Sequence, residues 1–176
     1  DATLEFANKG FDLARAGDAH NLVALLDQGK PADLRNEKGD SLLMLASYHG
    51  HADTVRALLE RGADPDLRNN NGQTPLAGAA FKGDLAMVEL LLAHGADVEG
   101  ATPDGKTALM MAAMFNRGEI IDSLLAHGAR IDALFRGAPS TGRRVRSTLA
   151  TARASVERTG RRRHCRPAPG DRNDSL

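Results

Sequence analysis

The chain has 176 residues, of which 41% are hydrophobic but only 3% aromatic, with no tryptophan. A core must therefore come from Leu, Ala, Val and Met, which favours closely stacked helices over a sheet sandwich rich in large β-formers. The formal net charge is zero, but the charges are unevenly placed. Residues 1–132 hold 12 basic and 20 acidic residues, a net charge of −8, and residues 133–176 hold 11 arginines and 3 acids, a net charge of +8. We therefore predict an acidic body followed by a basic tail.

The single cysteine, Cys165, excludes an intramolecular disulfide and a Cys-based zinc site, and it favours a reducing compartment. No apolar run is long enough for a membrane span, and the first residues show neither a basic nor a hydrophobic segment of a signal peptide. We expect a cytoplasmic protein without cofactors or membrane spans. Because the chain does not begin with Met, a trimmed leader stays an open alternative.

The chain contains an internal repeat of 33 residues. The columns that recur at this period include Gly17, Gly50 and Gly83; Gly29, Gly62, Gly95 and Gly128; Gly39, Gly72 and Gly105; Ala46, Ala79 and Ala112; and Val55, Val88 and Ile121. A unit of this length cannot bury its own apolar stripe, so successive units must stack on one another.

Each unit has the pattern of two short helices and a loop. Thr74 and Pro75 form a helix start, in which a hydroxyl caps free N–H groups and proline occupies the first turn. The first helix is expected to run to about Lys82, where Gly83 breaks it. A second helix of about ten residues ends before Gly95, in a position where glycine adopts a left-handed conformation cheaply. A hairpin-like loop then leads to the next unit.

This pattern resembles the ankyrin repeat family, whose Gly-x-Thr-Pro-Leu motif, helix-breaking glycine, Val-x-x-Leu-Leu and Gly-Ala-Asp are similar to residues 72–97. The resemblance covers about residues 4–132 and implies an all-α solenoid of four repeats. Their approximate bounds are residues 4–38, 39–71, 72–104 and 105–132. It also implies a non-catalytic module that binds a protein partner. We expect the chain itself to be a monomer.

The chain departs from the family pattern at two kinds of position. The family's histidine in the first helix is replaced by Met44, Ala77 or Met110, which removes a hydrogen bond worth on the order of 1 kcal/mol from each unit. Asn116 replaces the helix-breaking glycine of the last repeat. Because Asn tolerates the left-handed region, we expect this turn to survive.

Residues 100–107 match the phosphate-loop pattern G-x-x-x-x-G-K-[ST] letter for letter. No buried strand precedes them, Pro103 removes an amide donor, and Asp104 places a carboxylate where phosphate oxygens would lie. Gly105 and Thr107 also belong to the repeat columns of Gly72 and Thr74. The repeat therefore explains the match, and we do not predict nucleotide binding.

Other candidate chemistry also falls into the repeat columns. His94 and His127 precede helix-ending glycines, where a partly cationic ring suits the helix dipole better than a metal site. Ser41, Thr74 and Thr107 are expected to cap helices, and the repeated Asp64 and Asp97 to bond turn amides. Because a catalytic site should break the repeat and none does, we predict neither an enzyme nor a metal site.

The candidate binding surface has two parts. Large residues precede each turn between paired helices, in a column that the resemblance places on the concave groove; they either form an exposed row of binding anchors or pack against neighbouring loops inside the array. We call this set the ridge: Tyr48, His49, Phe81, Lys82, Met114 and Phe115. The second part is the set of loop tips: Arg35, Lys38, Asp40, Arg68, Asn70, Gln73 and Lys106.

Residues 133–176 abandon the repeat and have a composition typical of disorder. Within them, Val145, Leu149, Ala152 and Val156 would form an apolar stripe on a helix over 143–158. The arginines suit nucleic acid or another anionic surface, but no aromatic residue interleaves them for base stacking, which argues against nucleic acid. We therefore favour a solvated tail, or a non-native sequence that results from a shifted reading frame. No polar cap repeat follows Leu124, Leu125 and Ile131, so we expect the end of the array to be exposed unless the tail covers it.

Overall fold

The computed structural model describes residues 2–130, which form four pairs of helices. The first helix of each pair is α1 (Ala2–Ala16), α3 (Leu42–Tyr48), α5 (Pro75–Lys82) or α7 (Ala108–Met114). The second is α2 (Ala19–Leu26), α4 (Ala52–Glu60), α6 (Leu85–Ala93) or α8 (Gly118–Ala126). In the described residues, extended pairing is limited to one bridge between Arg35 and Ser41. The predicted all-α repeat solenoid is confirmed.

A hydroxyl caps the first helix of each of the last three repeats, as the sequence predicts. The side chains of Ser41, Thr74 and Thr107 accept hydrogen bonds from the backbone N–H three residues on, at 3.1, 3.2 and 3.3 Å. Each cap satisfies one of the N–H groups that a helix start leaves without a partner.

The turn between paired helices requires a left-handed residue. Gly83 has φ of 83°, and its N–H bonds the carbonyl of Ala79. Asn116 takes the same role in the last repeat with φ of 55°, the one non-glycine residue with positive φ among those described. The predicted survival of this turn is confirmed.

The residues that begin the second helices act in two ways. Asp18 and Asp84 cap their own helices, accepting from Asn21 N at 3.1 Å and Met87 N at 3.0 Å. His51 and Arg117 instead reach the preceding repeat. The ring of His51 donates from Nε2 to the Arg15 carbonyl at 2.8 Å, and Arg117 donates to the Lys82 carbonyl at 3.3 Å. At two repeat boundaries, therefore, a side chain that begins the second helix bonds a backbone carbonyl of the preceding repeat.

The helices form two rows, α1–α3–α5–α7 and α2–α4–α6–α8, and the core lies between them. Ala46, Ala79 and Ala112 are fully buried in the first row, where their small side chains let successive helices approach closely. Contacts between successive helices are denser in the first row than in the second. Val88 and Leu91, from the second row, are also fully buried.

The ends of the chain differ from its middle. α1 has 15 residues, about twice the length of the other first helices, and buries Phe11 and Ala14. The predicted basic tail, its helix over 143–158 and Ile131 lie outside the described residues. Within residues 2–130, no helix combines the length and apolar character needed to cross a bilayer.

Candidate functional site

The loop tips are three hairpins built on one internal pattern. The backbone N–H of Asn36, Asn69 and Thr102 each donates to the carbonyl four residues on, at 3.0, 3.1 and 2.9 Å. The side-chain oxygens of the same residues accept the N–H of that partner residue at 2.9 to 3.1 Å. An amide or hydroxyl at the first position thus closes each hairpin.

Side chains of the predicted tip residues connect one hairpin to the next. The guanidinium of Arg35 donates to the Arg68 carbonyl, and the guanidinium of Arg68 donates to the Ala101 carbonyl. Asn70 donates from Nδ2 to the Glu37 carbonyl at 2.9 Å and from its backbone N to the Lys38 carbonyl at 3.0 Å. These bonds give Arg35, Arg68 and Asn70 a structural role that the sequence interpretation did not foresee.

Two further tip residues also have polar partners. Asp40 accepts a hydrogen bond from Asn69 Nδ2 at 2.9 Å across the repeat boundary. Gln73 Oε1 accepts from the same amide at 3.2 Å. Lys38 and Gln73 are exposed, as are Arg35, Arg68, Asn70 and Lys106. Of these, the Lys38 side chain alone makes no hydrogen bond or ion pair to the described residues, which leaves it most available to a partner.

The phosphate-loop look-alike is the last of these hairpins. Lys106 Nζ lies 2.7 Å from Asp104 Oδ2, and Thr107 caps α7. Hydrogen bonds from Lys106 and Thr102 lower the pKa of Asp104 below its ordinary value. The lysine therefore has an anionic partner in its own loop, and residues 96–99, which precede the motif, are not a strand.

A row of acids behind the hairpins supports the loops. Asp66 Oδ1 accepts the backbone N–H of Asp97 at 2.8 Å, as Asp33 does for Asp64 at 2.9 Å and Glu99 for Arg130 at 2.7 Å. Burial raises the pKa of Asp66 more than the hydrogen bond from Asp97 lowers it, and the nearby carboxylates add to the rise. Asp64 and Asp97 also bond turn amides two residues on, at 2.8 and 2.9 Å, as predicted.

The ridge residues are exposed at the ends of the first helices. The exposed fractions of Tyr48, Phe81, Met114 and Phe115 are 46%, 40%, 56% and 43%. Leu4, at 65%, is the other large hydrophobic residue exposed in the described part of the chain. Apolar exposure is therefore concentrated in one surface row rather than scattered singly.

Contacts across repeats hold the ridge together. Lys82 Nζ lies 4.5 Å from the centroid of the Tyr48 ring, which is cation–π geometry. Phe81 and Phe115 meet edge to face with centroids 4.7 Å apart and an interplanar angle of 81°. The ring of His49 meets Tyr48 edge-on at 5.7 Å. All ridge residues except Met114 thus pack in pairs along the surface, while the aromatic rings of Tyr48, Phe81 and Phe115 stay open to solvent.

An open groove of about 520 Å³ adjoins the ridge between the second and third repeats. Its lining consists of Ser47, Tyr48, His49, Gly50, Lys82, Gly83, Asp84 and Leu85. The groove offers an aromatic wall from Tyr48, a cation from Lys82 and a carboxylate from Asp84. Such a mixture suits contact with a polypeptide that has both apolar and polar side chains.

His94 and His127 each bond the end of their own helix. His94 donates from Nδ1 to the Leu90 carbonyl at 2.9 Å, and His127 donates to the Ser123 carbonyl at 2.8 Å. Each ring thereby pairs with a carbonyl of the last helical turn. Among residues 2–130, no three His, Cys, Asp or Glu side chains converge in a way that could hold a metal ion.

The ridge and the loop tips lie at opposite ends of the first helices. A helix of seven or eight residues separates them, which corresponds to about 10–12 Å. The structure therefore brings the ridge residues together but keeps the tips apart from them. The cross-repeat pairs of the ridge and the arginine bonds between hairpins were missed by sequence reasoning.

Comparison with known proteins agrees with this architecture. Two overlapping stretches, residues 11–101 and 61–134, match the family model described as ankyrin repeats in three copies. An ankyrin repeat protein of Pseudomonas aeruginosa is 76% identical over 53 residues, which are 30% of this chain and 31% of that relative. The family match covers more than half of the chain, and the match to the relative spans about a third of the relative's own length.

Proposed function

The chain belongs to the ankyrin repeat family, and from that premise we propose that it is a non-catalytic protein-binding module whose partner docks on the ridge and the adjoining groove. Ankyrin repeats are generally protein-interaction modules, and the family is typically non-catalytic. The observation that carries the proposal is the concentration of exposed aromatic side chains at Tyr48, Phe81 and Phe115. Aromatic residues are enriched among the residues that dominate binding energy at protein interfaces.

The contacts within the ridge support recognition by a preformed surface. The Phe81–Phe115 and Tyr48–Lys82 pairs restrict their side chains before any partner arrives. Binding then loses less side-chain entropy, a cost of about 0.5–1.5 kcal/mol for each side chain that a partner must immobilise. The hydrogen bonds between hairpins support the same proposal, because they hold neighbouring repeats in register.

The denser contacts of the first-helix row support placing the partner on that side. A stack whose helices approach more closely in one row curves toward that row, and solenoids use such inner surfaces for binding. The ridge lies at the end of this row, so a partner seated in the curve would reach Tyr48, Phe81 and Phe115 together. Lys38 and Gln73, at the far end of the same helices, would contact only a partner wide enough to cross them.

The test is quantitative capture from extracts of the source organism, with the full chain as bait. Tyr48→Ala, Phe81→Ala and Phe115→Ala are compared with Leu4→Ala, which removes a still more exposed apolar side chain outside the ridge. We expect each ridge variant to weaken capture by about 1–4 kcal/mol, the range of interface hot spots, and Leu4→Ala to leave it unchanged. Capture that survives all three ridge substitutions would contradict the proposal, and equal loss in Leu4→Ala would indicate unspecific apolar adhesion.

The same extracts distinguish partner binding by the ridge from partner binding by the arginine-rich tail. Phosphate-directed binding by clustered arginines weakens steeply with salt, by about 10³–10⁵ between 50 and 200 mM for six to ten phosphate contacts. Capture that collapses in this range and is abolished by nuclease would favour the tail. Capture that depends on Phe81 and persists in salt would favour the ridge.

A further inference from the structure

The C-terminal end of the array has apolar side chains that are less covered than their counterparts one repeat earlier. Met110 is partly exposed, whereas Ala77 in the same column is 2% exposed. Leu125 is partly exposed, whereas Leu92 is 8% exposed. Each earlier repeat is followed by another pair of helices that packs against its own, as α7 packs against α5 and α8 against α6.

Met114 completes this uncovered set. In the preceding repeats the residue of its column contacts a side chain of the following repeat, as Tyr48 contacts Lys82 and Phe81 contacts Phe115. At 56% exposed, Met114 is the most open member of its column. We call Met110, Met114 and Leu125 the end face.

The chain itself continues from this end. Residues 131–176 begin directly after Arg130, a few residues beyond the end of α8. Val145, Leu149, Ala152 and Val156 are spaced for one helical face. The 12 residues from 131 to 142 can span up to about 40 Å, several helix diameters, so the stripe can reach the end face without strain.

Charge favours the same pairing. Residues 1–132 have a net charge of −8 and residues 133–176 a net charge of +8. An arginine-rich segment tethered beside an acidic array is attracted to it at an effective concentration set by the short linker. An unrelated partner would have to compete with this tethered segment.

We propose that residues 143–158 form an amphipathic helix that docks its apolar stripe on the end face and closes the array. The occupant is the chain's own segment, and its arginines remain toward solvent and the acidic surface. Repeat arrays need a terminal unit with a polar outer face for solubility. This helix would serve that purpose without being a fifth repeat.

The test uses the five methionines of the full chain as reporters. A nitroxide is attached at Ser147→Cys in a Cys165→Ser background, on the helix side opposite the stripe, and the methyl resonances of the methionines are recorded. We expect the strongest loss of intensity at Met110 and Met114 and little loss at Met44, two repeats away. Loss that is equal at all three methyl groups, or absent, would overturn the proposal.

Matched substitutions test the stripe itself. Leu149→Asp, on the stripe, should restore the Met110 and Met114 intensities and lower the melting temperature, whereas Thr151→Asp, with the same added charge off the stripe, should do neither. Identical behaviour of the two variants would contradict docking through the stripe. A mixture of nitroxide-labelled chain and isotope-labelled chain checks the occupant. Intensity loss in the mixture would assign the end face to a second copy and overturn the intramolecular assignment.

Discussion

The ammonium group of Lys82 lies 4.5 Å from the ring centroid of Tyr48, a residue of the preceding repeat. Phe115 likewise contacts a residue of the preceding repeat, Phe81, with ring centroids 4.7 Å apart. Lys82 follows Tyr48 by 34 positions, one more than the repeat period, and Phe115 follows Phe81 by the same number. The ridge therefore contributes to stacking between repeats while leaving more than a third of each hydrophobic side chain exposed.

The exposure of the ridge predicts modest effects on folding. Tyr48→Ala and Phe115→Ala should each lower the free energy of unfolding by about 1 kcal/mol, because only part of the ring is removed from a packed environment. Leu91→Ala, at a fully buried position, should cost about 2–5 kcal/mol. Denaturant melts of the full chain measure all three. Losses at Tyr48 and Phe115 as large as that at Leu91 would show that the rings are core residues and not binding anchors.

The arginine bonds between hairpins predict an effect on the loops. Arg68→Ala removes the donor to the Ala101 carbonyl and should lower the free energy of unfolding by about 1 kcal/mol. Amide exchange should accelerate in the hairpins around Asn69 and Thr102 more than in α5 and α6. Lys38→Ala, at an exposed tip position, is the control and should change neither quantity. Equal effects of the two substitutions would remove the structural role assigned to Arg68.

The 33-residue period predicts most of the fold because each repeated residue type has one local role. The Thr74 cap, the left-handed Gly83 and the turn at Asn116 all follow from local backbone chemistry. Arg35 and Arg68 were interpreted as binding residues, although they recur at the same period and the same reasoning would have indicated a structural role. Their acceptors, the Arg68 and Ala101 carbonyls, become visible only when neighbouring hairpins are placed side by side.

The site was harder to predict than the fold because exposure depends on how the repeats stack. The sequence left the ridge residues either exposed or packed inside the array, and a 33-residue spacing is compatible with both. Pairs such as Phe81 and Phe115 are separated by 34 residues and need the distance between neighbouring repeats to be recognised. A search of the sequence for aromatic and cationic residues spaced 34 positions apart would have found these pairs.

The raised pKa of Asp66 predicts a pH-dependent difference between the protein and its Asp66→Asn variant. Burial favours the protonated form, so the folded chain binds a proton more tightly than the unfolded chain, whose aspartate titrates near 3.8. The stabilisation that comes from protonated Asp66 is therefore complete below pH 3.8 and is lost as the pH rises through the raised pKa. Asp66→Asn should melt higher than wild type at pH 7, and the gap should close as pH falls below 4. A gap that widens at low pH would show that the charged form is favoured in the folded state.

Two buried threonines predict opposite outcomes for the same substitution. Thr54 is 1% exposed, and its hydroxyl has no hydrogen-bond partner among the described residues, whereas the same column holds Met87 and Ile120 in the next two repeats. Thr54→Val keeps the shape and removes an unsatisfied polar group, so it should raise the free energy of unfolding by about 1 kcal/mol. Thr74, at 3% exposed, accepts from the Ala77 N–H at 3.2 Å, so Thr74→Val should lower it by about 1 kcal/mol through loss of the cap. Urea melts of both variants measure the two values against wild type. A loss of stability in Thr54→Val comparable to that in Thr74→Val would show that the Thr54 hydroxyl has a partner in the folded protein.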